Sequence, residues 1–204
     1  ETGGYSELKK IVERKAVPRE TLIQMLAKEE NMDLILARFK RIDGHAFIGS
    51  YNNFVTSFPE LKEGLKEGLR DHVECFIYSR STRSIQYSSN YKSFNREFEG
   101  LKREYDFCQA FGMEEDKLRE VYVSDFNKRV KVTTLNAGDL QKVVMDAMAY
   151  YQLPAEVTNP ILEKQLVQNV ADKKYDHGRA LVLCMSEDTN KEQLMKDISR
   201  VQHQ

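Results

Sequence analysis

The side chains in this sequence that could do chemistry are three cysteines (Cys75, Cys108, Cys184), four histidines and many acids, and their spacing limits what they can do. His72 and Cys75 are the one His/Cys pair at metal-ligand spacing. On a helix they would share a face at i, i+3, and on a strand they would point to opposite faces. A closed zinc site needs four ligands, and no second pair supplies the other two. No metal and no cofactor is therefore expected. A catalytic thiolate needs an electropositive, partly exposed setting. Cys108 continues an aromatic stripe and Cys184 sits in Ala-Leu-Val-Leu-Cys-Met, so small core thiols are the plainer reading.

Asp176-His177-Gly178-Arg179 and Gly44-His45 could serve acid–base chemistry or hold an anion, but both read equally as polar turns. Adjacent acids such as Glu29-Glu30 and Glu114-Glu115 point apart on a helix, as on a solvated surface. Phosphate-cradling glycine patterns, nucleophile elbows and EF-hand loops are missing. The sequence leans away from catalysis, with no catalytic residue to name. An enzyme assembled from distant residues such as His45, His72 or His177 stays open.

Two features point to binding instead. Between Tyr78 and Arg103 there are six basic residues (Arg80, Arg83, Lys92, Arg96, Lys102, Arg103) against Glu97 and Glu99. Tyr87 and Tyr91 lie among them. Phosphates could meet Arg80, Arg83, Lys92 and Arg96, while single-stranded bases stack on Tyr87 and Tyr91. Lys128, Arg129 and Lys131 could extend that patch. No RNA-binding or zinc-finger signature accompanies it. The second feature is a set of apolar and small residues suited to a protein partner. Tyr51, Phe54 and Phe58 precede Pro59, where aromatics are either tucked into a core or used as binding hot spots. Gly64 and Gly68, one turn apart in a tandem Lys-Glu-Gly-Leu, would make a smooth strip for a close neighbour.

The elements that must position these residues are mostly helices. Pro18 suits a first helical position, followed by Leu22, Ile23, Met25 and Leu26. Asn31 can cap a segment carrying Met32, Ile35, Leu36, Phe39 and Ile42, ended by Gly44. Residues 44–57 lack a clear period and read as a loop, with a short strand at Ala46–Ile48. Pro59 opens a helix with Leu61, Leu65, Leu69 and Val73.

From 73 to 88 the apolar residues alternate around Ser-Arg-Ser-Thr-Arg, which predicts a β-hairpin. The clearest helix spans Tyr91–Phe111, stopped by Gly112. Val121-Tyr-Val and Val130-Lys-Val-Thr-Thr alternate as two further strands. Asn136 caps a helix that stops before Pro154, and Asn159-Pro160 starts another. Residues 179–185 form an apolar run of the kind found in buried strands. Thr189 and Glu192 make a capping box for the last helix.

These elements predict a predominantly helical α+β domain with short antiparallel hairpins, or an all-α domain should the hairpins prove helical. The 204 residues are 41% hydrophobic and 31% charged with a net charge of −1, which suits one globular domain over 5–204, helical to about residue 71. No apolar run approaches the ~18 residues of a membrane span. Glu1–Gly4 read as a cloning remnant or disordered lead, and the missing initial Met suggests a piece of a larger protein. Three cysteines that cannot all pair lean toward a reducing, intracellular compartment. The function expected is a non-enzymatic protein-interaction or scaffold domain, with a protein partner or self-association. Binding of RNA or single-stranded DNA is the alternative.

Overall fold

A computed structural model describes residues 10, 17–82 and 90–204. Among the described residues there are ten α-helices, one short 3-10 turn and no strand, so the α+β expectation is corrected to an all-α fold. The chain divides into two compact units, Glu1–Ser79 with Arg103–Glu114 and Arg80–Lys102 with Glu115–Gln204.

Unit 1 holds α1 (Arg19–Leu26), α2 (Glu29–Phe39), α3 (Gly44–Ser57) and the 3-10 turn Pro59–Leu61. To these it adds the first part of α4 (Lys62–Thr82) and the last part of α5 (Tyr91–Phe111). Its core is aromatic. Phe39 meets Phe47 and Phe54 edge-on at 6.1 and 5.7 Å, Phe47 meets Phe107 at 5.9 Å, and Tyr51 lies 5.4 Å from Phe111. Edge-to-face pairs at such separations add roughly 0.5–1.5 kcal/mol each beyond the area they bury. The α5 terminus follows from Gly112: its φ of +95° suits glycine, and the N–H of Met113 closes back on the carbonyl of Cys108 at 3.0 Å. That bond satisfies a carbonyl the helix end would otherwise orphan.

Unit 2 holds the remaining parts of α4 and α5 with α6 (Glu115–Val130), α7 (Ala137–Tyr151), α8 (Ala155–Ala171), α9 (Tyr175–Cys184) and α10 (Lys191–Gln202). Asn136 caps α7 as expected, its side chain accepting the N–H of Asp139 at 2.8 Å. Gly178 lets α9 lie close to α8: a Cβ there would stand 3.1 Å from Leu166 Cδ1 and 3.6 Å from Val170 Cγ2.

Most of the expected strand segments that the structure describes are helical, for identifiable reasons. In α4, Leu65, Leu69, Val73, Phe76 and Ile77 are buried while Cys75 is exposed, so the stripe continues at helical spacing and the alternation at 73–77 is incidental. The rest of that hairpin, from 83 to 89, lies outside the described residues. In α6 the inward face carries Leu118, Val121, Asp125, Phe126, Arg129 and Val130, and two charged residues in it hide the apolar period. Only Val132 and Leu135 beyond it reach the core from the 131–136 connection. The 179–185 run belongs to α9, a helix buried on most sides except at Leu183.

The loop and strand expected over 44–57 form α3, which Gly44 begins with φ +60° rather than ending the preceding helix. Asn31 lies inside α2 and donates from Nδ2 to the Met25 carbonyl at 2.7 Å. The last helix is capped by Asn190, whose side chain accepts the Gln193 N–H at 3.1 Å, in place of Thr189 and Glu192. α8 starts at Ala155, so Pro160 falls within it. Asn159 instead holds the turn after α9, donating to Ser186 Oγ at 2.8 Å and accepting the Ser186 N–H at 3.2 Å. No helix among the described residues is long and apolar enough to cross a membrane.

Candidate docking groove

A candidate site among the described residues is a groove in unit 1, and its first component is α2. Glu29 and Glu30 sit in the first turn of this helix and Arg38 in its last, each suited to the nearby end of the helix dipole. One side of α2 turns inward. Phe39 is buried, and Met32 and Leu36 rest on the glycines of α4. A Cβ at Gly64 would stand 3.6 Å from Met32 Cε, and one at Gly68 would overlap Leu36 Cδ1.

At 100° per residue, Leu34, Ala37, Arg38 and Arg41 fall on the side opposite Met32, Leu36 and Phe39. With Ile42, Ala46 and Ser50 they line a half-open groove of about 720 Å3. Leu34, Ala37, Ile42 and Ala46 give it apolar surface, and the exposed Arg38 and Arg41 add two guanidinium groups to its lining. Leu34 is 70% exposed, the highest value among the exposed large apolar side chains of the described residues.

Arg38 and Arg41 make no ion pair among the described residues. The sequence supplies none on the helix: the positions three and four residues to either side of both arginines carry Leu34, Ile35, Ala37, Ile42, Gly44, His45 or the other arginine. Asp43, the acid nearest in sequence to Arg41, has its carboxylate 3.6 Å from His72 Nε2. The groove therefore offers apolar surface together with two positive charges that make no ion pair among the described residues.

The residues singled out from sequence lie elsewhere. Tyr51, Phe54 and Phe58 are 4%, 6% and 2% exposed and pack in the unit 1 core, which is the tucked arrangement. Gly64 and Gly68 receive Met32 and Leu36, which fill the strip between the helices. Lys92 and Arg96 are exposed on α5 and Arg80 is partly exposed near the end of α4, all three in unit 2. Tyr91 is half-buried, donates its hydroxyl to Asp146 Oδ2 at 3.1 Å and lies 5.4 Å beneath Lys142 Nζ. Burial first, and then that hydrogen bond to Asp146, push the Tyr91 phenol above its ordinary range. Arg83 and Tyr87 lie outside the described residues. Arg129 cannot extend a basic patch, because it is 1% exposed.

None of the histidines lines the groove. His72 donates from Nε2 to the Ile42 carbonyl at 3.0 Å, and His45 Nε2 lies 3.8 Å from the buried carboxylate of Glu104. His177 sits in the first turn of α9 and donates from Nε2 to the Leu135 carbonyl at 2.7 Å. Burial pushes the Cys108 thiol up to about 12, with Glu104 adding to it, and the Cys184 thiol up to about 11. Both are poor nucleophiles at neutral pH. No group of three or more His, Cys, Asp or Glu among the described residues is placed to hold a metal ion.

Unit 2 contains a buried charged cluster that the sequence did not announce. Arg129 Nε donates to Asp125 Oδ2 at 2.6 Å, and the Tyr151 hydroxyl donates to the same oxygen. The guanidinium lies 4.1 Å from the centre of the Phe98 ring. Burial opposes the charge on Arg129, but Asp125 and Tyr151 outweigh it and raise the pKa further. The cluster joins α6 to α7 and α5, and its role is internal support. Its one sequence signal was the i, i+4 spacing of Asp125 and Arg129. The groove had a signal too: Leu34, Ala37, Arg38 and Arg41 form an apolar and basic stripe at 0, 3, 4 and 7 with no acid three or four residues from either arginine. The apolar stripe of Met32, Ile35, Leu36 and Phe39 on the other face is the more prominent signal.

Comparison of the chain with family models, curated proteins and solved structures returned no match.

Proposed function

We propose that this chain is a non-enzymatic protein-interaction or scaffold domain that docks a partner through the α2–α3 groove of unit 1. The observation that carries this reading is the combination of a 70% exposed leucine with a half-open groove of about 720 Å3 in the same face. Burying an exposed Leu side chain is worth roughly 1.5–3 kcal/mol, so a partner covering this face gains free energy that the isolated chain forgoes. Grooves of this kind are what amphipathic segments fill, placing anchors at helical spacing.

The test is site-specific cross-linking in the native cells. A photoreactive residue replacing Ala46 should give a discrete adduct, and Leu34→Asp should abolish it. The same residue placed at Val167, another exposed apolar position (69%), should not give that adduct. An adduct indifferent to Leu34→Asp, or none at all, would contradict the reading.

RNA or single-stranded DNA binding through Lys92 and Arg96 has less support. Their charges are exposed, but the neighbouring Tyr91 spends its hydroxyl on Asp146 and one ring face on Lys142.

A further inference from the structure

The chemistry of the groove specifies the chemistry of its occupant, and this inference rests on the docking reading just given. Leu34, Ala37, Arg38 and Arg41 span eight residues, from the middle of α2 to the turn just past its end, or about 10 Å along the axis at ~1.5 Å per residue. That is the length of two turns of a partner helix. Within this length the order of side chains is polarised: Leu34 and Ala37 come first, Arg38 and Arg41 follow, and Ala46 and Ser50 of α3 face them one turn apart. Two rows result along α2 and the turn that follows it, Leu34–Arg38 and Ala37–Arg41, each apolar at one end and cationic at the other.

We propose that the groove binds an acidic amphipathic helix of a protein partner. Its apolar side chains, three or four residues apart, seat over Leu34, Ala37, Ile42 and Ala46. Its carboxylates, about one turn further along, pair with Arg38 and Arg41. The arginines carry the sign of the selection. A planar guanidinium matches a carboxylate in bidentate fashion, and neither arginine has an acid three or four residues away. Their placement at and just past the end of α2 suits the helix dipole, and neither makes an ion pair among the described residues. A nucleic acid fits this face poorly. The groove contains no aromatic ring on which a base could stack, and two charges on an apolar floor do not track a phosphate backbone.

The experiment uses the full chain as bait against a displayed library of 16-residue helix-forming peptides. Leu is fixed at two positions four residues apart, and the remaining surface positions are randomised among Glu, Lys, Gln and Ser. Selected peptides should be enriched in Glu one turn beyond the leucines. Their affinity should fall at least tenfold for Arg38→Glu/Arg41→Glu and substantially for Arg38→Gln/Arg41→Gln, a pair that removes the charge without reversing it. Circular dichroism of each variant confirms that α2 persists. Raising the salt from low to physiological strength should weaken wild-type binding, since the rim charges are exposed.

Peptides that bind in a Leu34-dependent way with no acidic enrichment would overturn the proposed chemistry while leaving the docking reading standing. No Leu34-dependent binder at all would overturn both. Enrichment of Lys would overturn the assigned sign.

Discussion

Replacing Arg129 by Met should destabilise unit 2 far more than an ordinary point substitution, and the size follows from the surroundings of the pair. The side chains of Arg129 and Asp125 are 1% and 4% exposed, with Nε and Oδ2 2.6 Å apart. With charge centres about 4 Å apart and an effective dielectric of about 20, their attraction is ~4 kcal/mol. Removing one partner forfeits that attraction and leaves a carboxylate buried among Tyr151, Phe98 and the core of α6. Breaking a buried pair in this way costs roughly 3–5 kcal/mol. Asp125→Leu alone should cost as much, because it strands the guanidinium.

The double variant Asp125→Leu/Arg129→Met removes both charges with their desolvation penalties and should recover most of the loss. Urea unfolding of the four proteins, followed by far-UV circular dichroism, gives the cycle. The coupling expected between the two sites is a few kcal/mol. Single variants costing less than about 1 kcal/mol each, with a double equal to their sum, would refute the buried, mutually neutralising pair.

Other outcomes follow from the same structure. With a thiol reagent in native buffer, Cys75 should react quickly and Cys108 and Cys184 only as fast as the protein opens, which timed labelling with mass spectrometry reads directly. A thiol whose folded pKa lies above its unfolded value stabilises the fold at low pH. The contribution of Cys108 is therefore full below its unfolded pKa of 9.0 and lost as pH rises toward about 12. Stability should fall by about 1.4 kcal/mol per pH unit per buried thiol above that point, and Cys108→Ala should flatten the slope in denaturant titrations at pH 8, 9 and 10. Asn136→Ala should cost ~1 kcal/mol by removing the side-chain acceptor at the start of α7, measured by thermal unfolding. Gly112→Ala should cost ~1 kcal/mol or more, since a φ of +95° opposes any Cβ there, while the nearby Lys66 side chain can swing aside.

What could be read from the sequence depended on whether a segment buried one apolar stripe. The Tyr91–Phe111 helix was legible because Phe94, Phe98, Leu101, Tyr105 and Cys108 recur at steps of three and four on one face. α6 was not, because Asp125 and Arg129 occupy its inward face and pair there, and the remaining valines then mimic a strand. α9 was misread because most of its circumference is buried, which removes the polar side that marks a helix. α3 was hidden by Gly44, Gly49 and two asparagines, residues of turns; burial of Phe47, Tyr51 and Phe54 overrides their local preference. The same burial explains why the aromatics named as binding residues are core residues. The groove itself joins two segments, a helix whose inward apolar stripe is its stronger signal and a stretch whose glycines and asparagines resemble a loop, so no single stretch of sequence displays it.

The central claim is that the α2–α3 face is where this protein meets its partner. The most direct test is a titration of the isotope-labelled chain with a selected acidic peptide, followed by amide chemical shifts. The account predicts changes concentrated from Leu34 to Ser50, at the residues lining the groove, and absent in Leu34→Asp. Shifts centred on Lys92 and Arg96 of α5, or spread evenly over both units, would contradict it.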